Sequence, residues 1–203
     1  MVRDSAKTKQ RILEAVGTVL AKRGFRGLGI NAVARAARVD KVLIYRYFGG
    51  MRELLRACSQ QGELWPTVRE LTGMDLKELS EASLSEYSIA ILLGHLRALR
   101  ARPKIQEIMR WELQQRNELT DELARAREQQ GMDLLSQLPE GKTRRMEVDL
   151  PAVAAVLHAG LTYLTLRSRT ADVYLGVDLR SPAGWKRLER AIETVVRAVA
   201  DGR

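Results

Sequence analysis

The stretch Ile30-Asn31-Ala32-Val33-Ala34-Arg35-Ala36-Ala37-Arg38-Val39-Asp40-Lys41-Val42-Leu43-Ile44-Tyr45-Arg46-Tyr47-Phe48-Gly49-Gly50 decides the fold. Its apolar residues recur at helical spacing in two short runs, Ile30 to Ala37 and Lys41 to Tyr47. Asp40 stands just before the second run, where a carboxylate accepts an orphan backbone N–H and suits the positive end of the helix dipole. Gly49-Gly50 then breaks the chain. Two short helices joined by a tight turn are expected, with Val39, Ile44 and Phe48 facing a core.

Upstream, Ala6 to Lys22 carries Ile12, Val16, Val19 and Leu20 on one face, and Gly24 follows as a helix C′ residue. Three helices, the last two short and joined by a tight turn, describe a helix-turn-helix. The charge agrees. Met1–Gly50 holds eleven Lys and Arg against three Asp and Glu, so +8 of the net +9 on 203 residues lies in the first quarter. A solvated basic face is the plain account; concentration in one small unit is the footprint of nucleic acid or an anionic membrane.

The remainder is read as helical throughout, giving an all-α chain with no strand pattern. A long connecting helix is expected from Met51 to about Arg69, carrying Leu54, Leu55, Cys58, Leu64 and Trp65. Ser83-Leu84-Ser85-Glu86 has capping-box spacing and opens a helix with Leu84, Tyr87, Ile91, Leu92, His95, Leu96 and Leu99 on one face. A run from Pro103 reaches about Gln130, with a break placed near Trp111. Gly131 to Glu147 is read as a loop. Leu150 to about Arg169 is apolar nearly all round, so one side needs cover from its own chain and the other from something else. Ser181-Pro182 opens the last helix, with Trp185, Leu188, Ile192, Val195, Val196 and Val199 at core spacing.

Several classes are disfavoured. One cysteine, Cys58, gives no intrachain disulfide framework and no multi-cysteine metal site, which suits a reducing cytoplasm. The N-terminus lacks the apolar stretch of a secretory signal, so export is not expected. Pro151 to Leu166 falls short of the ~20 apolar residues that span a bilayer and is read as a buried helix, with no membrane partner. Two histidines, no metal-ligand spacing, no phosphate loop and no nucleophile motif argue against an enzyme, a cofactor or a metal.

From Thr8 to Leu55 the chain resembles the DNA-binding domain of the TetR family, through Arg11-Ile12-Leu13-Glu14-Ala15, Arg23-Gly24-Phe25, Val33-Ala34, Ala37, Val39, Lys41, Ile44-Tyr45, Tyr47-Phe48 and Glu53-Leu54-Leu55. The resemblance implies a helix-turn-helix domain over residues 1–49 and a helical regulatory and dimerisation domain over 50–203. It implies that the helix from Lys41 enters the major groove of an inverted repeat, that the last two helices form a homodimer, and that a small molecule acts on a cytoplasmic repressor. DNA-binding candidates are Asn31, Lys41, Val42, Leu43, Tyr45, Arg46, Tyr47 and Arg52. Lys41 and the two phenols suit phosphates, Arg46 suits a phosphate or a guanine edge, and packing is the rival role for Tyr45 and Tyr47. Arg3, Lys7 and Lys9 form either a mobile arm near the backbone or an idle tail. Three departures stand out. Arg38 occupies a usual glycine position in the turn, Val42 and Leu43 replace small or hydroxyl residues, and Met51 replaces a common lysine that Arg52 could substitute. Val42 and Leu43 offer only apolar contact, for instance to thymine methyls.

For the rest, dimer candidates are Val153, Leu157, Leu161, Leu164, Leu188, Ile192 and Val195. Candidates for a pocket taking an apolar or aromatic ligand are Trp65, Tyr87, His95, Met109, Trp111, Glu112 and Arg116. Glu112 and Arg116 fall inside an apolar stripe, where an i, i+4 ion pair at a core edge is the rival to a ligand-facing pair. His95, Trp65 and Trp111 have core packing as their rival role. A second functional reading is a ligand-independent DNA-binding regulator that signals through a protein partner.

Overall fold

A computed structural model describes residues 2–60, 66–74, 78, 81–136 and 148–201. The helices are α1 (Val2–Arg23), α2 (Ile30–Ala37), α3 (Lys41–Phe48), α4 (Met51–Gln60), α5 (Val68–Thr72), α6 (Leu84–Ala101), α7 (Pro103–Gln114), α8 (Glu118–Ser136), α9 (Leu150–Arg167) and α10 (Pro182–Asp201). A two-stranded antiparallel hairpin, β1 (Val173–Tyr174) with β2 (Val177–Asp178), lies between α9 and α10. The all-α expectation holds apart from this hairpin, which the sequence reading missed. Its turn residues Leu175 and Gly176 both have positive φ, as a type I′ turn requires.

The chain forms two compact units, Met1–Thr67 with Arg102–Met132 and Val68–Ala101 with Asp133–Arg203. They do not follow the division at residue 49.

In the first unit, Ile12, Leu13, Val16 and Leu20 of α1 pack with Val33 and Ala37 of α2, Ile44 of α3 and Leu54, Leu55 and Cys58 of α4. Ile108 of α7 and Leu123 of α8 complete the same core. Each fully buried Leu or Ile contributes roughly 1.5–3 kcal/mol over its exposed state, so the two later helices are structural members of this unit. The expected caps form: the Asp40 carboxylate accepts from the Val42 N–H at 2.8 Å. Arg38 ends α2 in the left-handed region at φ 54°, ψ 50°. That is strained for an arginine, and Arg11 braces the turn by donating from Nη2 to the Ala37 and Arg38 carbonyls at 2.6 and 3.1 Å.

In the second unit α6 packs with α9 and α10 through Leu92, Leu96, Leu161, Leu179, Trp185 and Val196. The capping box holds: Ser83 N–H donates to Glu86 Oε2 at 2.8 Å, and Glu86 N–H donates to Ser83 Oγ at 3.2 Å. At the α5–α6 crossing the Leu71 carbonyl oxygen lies 1.6 Å from where a Cβ on Gly94 would stand, so only glycine fits there.

Four helix expectations are corrected. Within the described residues the helix from Met51 runs to Gln60, and Pro66-Thr67 are not helical, as suits a proline that lacks the N–H a helix interior needs. Leu64 and Trp65 lie outside the described residues. The break after Pro103 falls at residues 115–117 instead of Trp111, where Asn117 Oδ1 accepts from the N–H groups of Leu119 and Thr120 at 2.9 and 3.1 Å. The helix α8 runs through Gly131 to Ser136. A mid-helix glycine costs only about 1 kcal/mol, and Leu134 is buried with its carbonyl accepting from Tyr87 at 2.8 Å. Residues 137–147 of the expected loop lie outside the described residues. Finally, α9 is long and apolar enough to cross a membrane by length and composition alone, yet only 11 % of its residues are fully buried among the described residues, where a buried helix was expected.

Candidate nucleic-acid interface

Burial on α3 follows the helical period. Ile44 is fully buried, Leu43, Tyr47 and Phe48 are half-buried, and Lys41, Val42, Tyr45 and Arg46 are exposed. At 100° per residue, Val42 and Arg46 each sit about 160° from Ile44 and point most directly away from the core. Asn31 is exposed on the first turn of α2. The polar members are mutually arranged. Arg46 Nη2 donates to the Tyr47 hydroxyl at 3.0 Å, and the Arg46 guanidinium and Lys9 ammonium lie 5.0 and 5.4 Å from the Tyr47 ring centre. The Tyr47 phenol is held below its usual pKa, first by hydrogen bonding with Ser5 and then with Arg46. Lys7 and Lys9 therefore stand on α1, which begins at Val2, and not on a loose arm; nothing is described of the Arg3 side chain.

Arg52 is already engaged, with Nη2 3.3 Å from Glu118 on α8. One turn on, Arg56 donates from Nε and Nη2 to Glu122 Oε1 at 3.2 and 2.8 Å. That second pair was not read from the sequence, because its partners are 66 residues apart. The two pairs join α4, which follows α3, to α8.

The seven pocket candidates are distributed over both units. Trp65 lies outside the described residues. In the first unit Met109 is buried, and the Trp111 ring lies against Gly24 with its Nε1 buried and without a hydrogen-bond partner. Glu112 does not pair with Arg116. Its carboxylate accepts a two-pronged hydrogen bond from Arg127 at 3.0 and 2.5 Å, while Arg116 falls in the break after α7 with its side chain 92 % exposed. Arg116 leaves the apolar stripe because the helix ends at Gln114. In the second unit Tyr87 is buried, and burial pushes its phenol pKa up. His95 Nε2 lies 3.1 Å from Thr162 Oγ1, with its ring 4.1 Å from that of His158.

Of the dimer candidates, Leu161 faces the core of its own chain at 2 % exposure, and Leu157, Leu164, Leu188 and Ile192 pack against that core. Val153 is half-buried and Val195 is 42 % exposed. The uncovered face of α9 is instead Ala152, Ala155, Val156, Ala159, Gly160 and Tyr163. Its signal was available as small residues recurring at helical spacing.

A short helix, capped by Asp40, anchored by Ile44 and set at the surface of a basic three-helix unit, defines a helix-turn-helix domain of the kind that enters DNA grooves. Residues 12–58 match the family model described as bacterial regulatory proteins, tetR family. The HTH-type transcriptional repressor SCO4008 of Streptomyces coelicolor is 38% identical over 74 residues, which are 36% of this chain and 33% of that protein, so the chain spans a third of the length of this relative. A TetR family transcription regulator from Marinobacter aquaeolei VT8 shares the fold with a TM-score of 0.66 at 19% identity, over 98% of both chains. The transcriptional regulator FadR of Bacillus subtilis, solved with stearoyl-CoA, shares it with a TM-score of 0.62 at 17% identity, over 92% of this chain and 96% of that one. The sequence match to the tetR family thus covers the helix-turn-helix, and over its whole length the chain shares its fold with solved TetR family regulators.

Proposed function

We propose that the chain is a repressor that binds double-stranded DNA sequence-specifically, as a cytoplasmic homodimer on an inverted repeat, and is released by a small molecule. The observation that carries the reading is the exposure of Val42 and Arg46 on the side of α3 opposite Ile44, with Lys41 and Tyr45 exposed on its flanks, in the part of the chain that holds most of the net charge. Lys41, Tyr45 and Tyr47 serve phosphates, Arg46 a phosphate or a guanine, and Asn31, Val42, Leu43 and Arg52 line the same side. Residues 1–49, joined by Arg52, bear the DNA contacts, and 50–203 the dimer and ligand functions.

The dimer forms across α9 and α10. Among the described residues nothing covers the apolar face of α9, and a two-fold partner presents the same face in return. Val153, Leu157, Leu161, Leu164, Leu188 and Ile192 then back the interface, and Val195 takes part in it directly.

The ligand has a substantial apolar part, a reading supported by the acyl-CoA in the Bacillus subtilis neighbour. Met109, Trp111 and Glu112 are the candidates for its surroundings in the first unit, and Tyr87 and His95 those in the second. A ligand that displaces α8 pulls on α4 through Arg52–Glu118 and Arg56–Glu122, and so shifts the recognition helix. The effect is bounded by the ligand's differential affinity for the two arrangements, typically ~1–3 kcal/mol or ~5–150-fold in DNA affinity.

Selection of bound duplexes from a random pool tests the reading. An inverted repeat bound with a steep salt dependence is expected; equal binding to single strands, or no dependence on salt, overturns it. For the ligand, operator DNA must weaken stearoyl-CoA binding by the factor by which stearoyl-CoA weakens DNA binding.

A further inference from the structure

We propose that Val42 is a specificity-determining residue that reads the C5-methyl group of a thymine in each half-site. The inference rests on the DNA-binding reading above. Among the described residues of the helix-turn-helix, Val42 and Tyr45 are the large apolar side chains left exposed, at 61 % and 53 %. Tyr45 has a hydroxyl to give to a phosphate; Val42 has nothing but hydrocarbon. The Asp40 cap fixes it in the first turn of α3, because the carboxylate holds the backbone N–H of residue 42 itself. The first turn of a recognition helix is the part that meets base edges, and Val42 stands on its outermost face.

The chemistry then narrows the target. On the major-groove edges of the four base pairs, the thymine methyl is the apolar group; the other distinguishing groups are hydrogen-bond donors and acceptors. A valine seated against N7, O6, O4 or an exocyclic amine desolvates that group without replacing its hydrogen bond, which penalises the wrong base. Arg46, on the same face one turn later, donates to Tyr47 and so has a polar partner already, whereas Val42 gains only when covered. Burying one methyl-sized group is worth about fourfold in affinity.

The test uses the full-length protein and the duplex it selects from a random pool. Each thymine is replaced in turn by deoxyuridine, which removes the methyl and leaves Watson–Crick pairing intact. Wild-type protein is expected to lose about fourfold at one thymine per half-site. Val42→Ala, a surface change to a better helix former, is expected to lose sensitivity at that thymine alone, while Leu43→Ala keeps it. Wild-type indifference to deoxyuridine at every position overturns the proposal and leaves the DNA-binding reading standing. A deoxyuridine effect that persists unchanged in Val42→Ala assigns the methyl to another residue and also overturns it. Failure to select any duplex overturns both.

Discussion

The indole of Trp111 on α7 lies so close to Gly24, at the end of α1, that a Cβ on residue 24 would stand 2.8 Å from its Cδ2. Gly24 also has φ 63° and ψ −170°, a region essentially restricted to glycine. Two independent penalties thus fall on Gly24→Ala, about 1–3 kcal/mol for the backbone and about 1–3 kcal/mol for overpacking. Urea unfolding should show a loss in that combined range. Arg38→Gly should go the other way by about 0.5–1 kcal/mol, since it relieves a left-handed arginine at the cost of unfolded-state entropy. A Gly24→Ala variant as stable as wild type would mean that Trp111 does not press on that turn.

Glu112 and Arg127 should behave as a unit. Their side chains are only 13 % and 26 % exposed, so removing one strands the other's charge in a partly buried place. Glu112→Ala and Arg127→Ala are each expected to cost about 2–3 kcal/mol, with the double variant costing much less than their sum. Arg116→Ala should change stability by less than about 0.5 kcal/mol. A large Arg116 effect would restore the i, i+4 pairing that the break at residues 115–117 removes.

On α3, Lys41→Ala, Tyr45→Ala and Tyr47→Ala should weaken binding to all duplexes alike, by about 3–10-fold each, and Lys41→Ala should reduce the salt slope by about one. Arg46→Ala should weaken binding about 5–100-fold and relax the preference at one base pair. Tyr47→Phe deletes the acceptor of the Arg46 hydrogen bond and should fall between these. Titration of selected and scrambled duplexes at two salt concentrations separates the outcomes.

Val156 at 71 % and Val195 at 42 % exposure can be changed without opening the core, unlike Leu161. Val156→Asp and Val195→Asp are expected to yield folded monomers in sedimentation, with DNA affinity reduced by the loss of the second recognition helix. Leu161→Asp should unfold the second unit instead. Folded, fully dimeric Val156→Asp and Val195→Asp proteins would place the interface elsewhere.

The Glu122 carboxyl is held below its usual value, first by the hydrogen bond from Arg56 and then by the charges of Arg56, Arg125 and Arg52. A carboxylate whose folded pKa is depressed contributes stability above its ordinary value of 4.5, and loses that contribution as the pH falls through the folded value. Wild type should therefore lose stability below about pH 4.5, and Glu122→Gln should be less stable at neutral pH with a shallower fall in that window. Parallel pH profiles for the two proteins would remove Glu122 from the acid response.

What could be read from residues alone was whatever is decided within a turn or two of helix. Ile30–Ala37 was placed to the residue, the Asp40 and Ser83–Glu86 caps formed as expected, and Ile44 went to the core. Misses came where distant parts of the chain decide. Gly131 looked like a loop until Leu134 found its burial, and Arg116 looked like a partner for Glu112 because the Asn117 cap that ends the run was not recognised. The hairpin at Val173–Asp178 is too short for alternation to register, and Leu175-Gly176 is not the Asn-Gly pair that usually announces a type I′ turn. Side-chain geometry in the ligand candidates was the least legible, since it depends on which helices cross.

That Ile108, Leu123 and Trp111 pack in the same core as the recognition unit has a bearing on protein engineering. A modular view would cut at Gly49-Gly50 and graft the first 49 residues onto a foreign sensor. Such a graft leaves behind Leu54, Leu55 and Cys58 as well as α7 and α8, and exposes the apolar flank of α1 that they cover. The transplantable cassette is discontinuous, residues 1–67 together with 102–132, and a hybrid that keeps its specificity has to inherit both pieces from one parent.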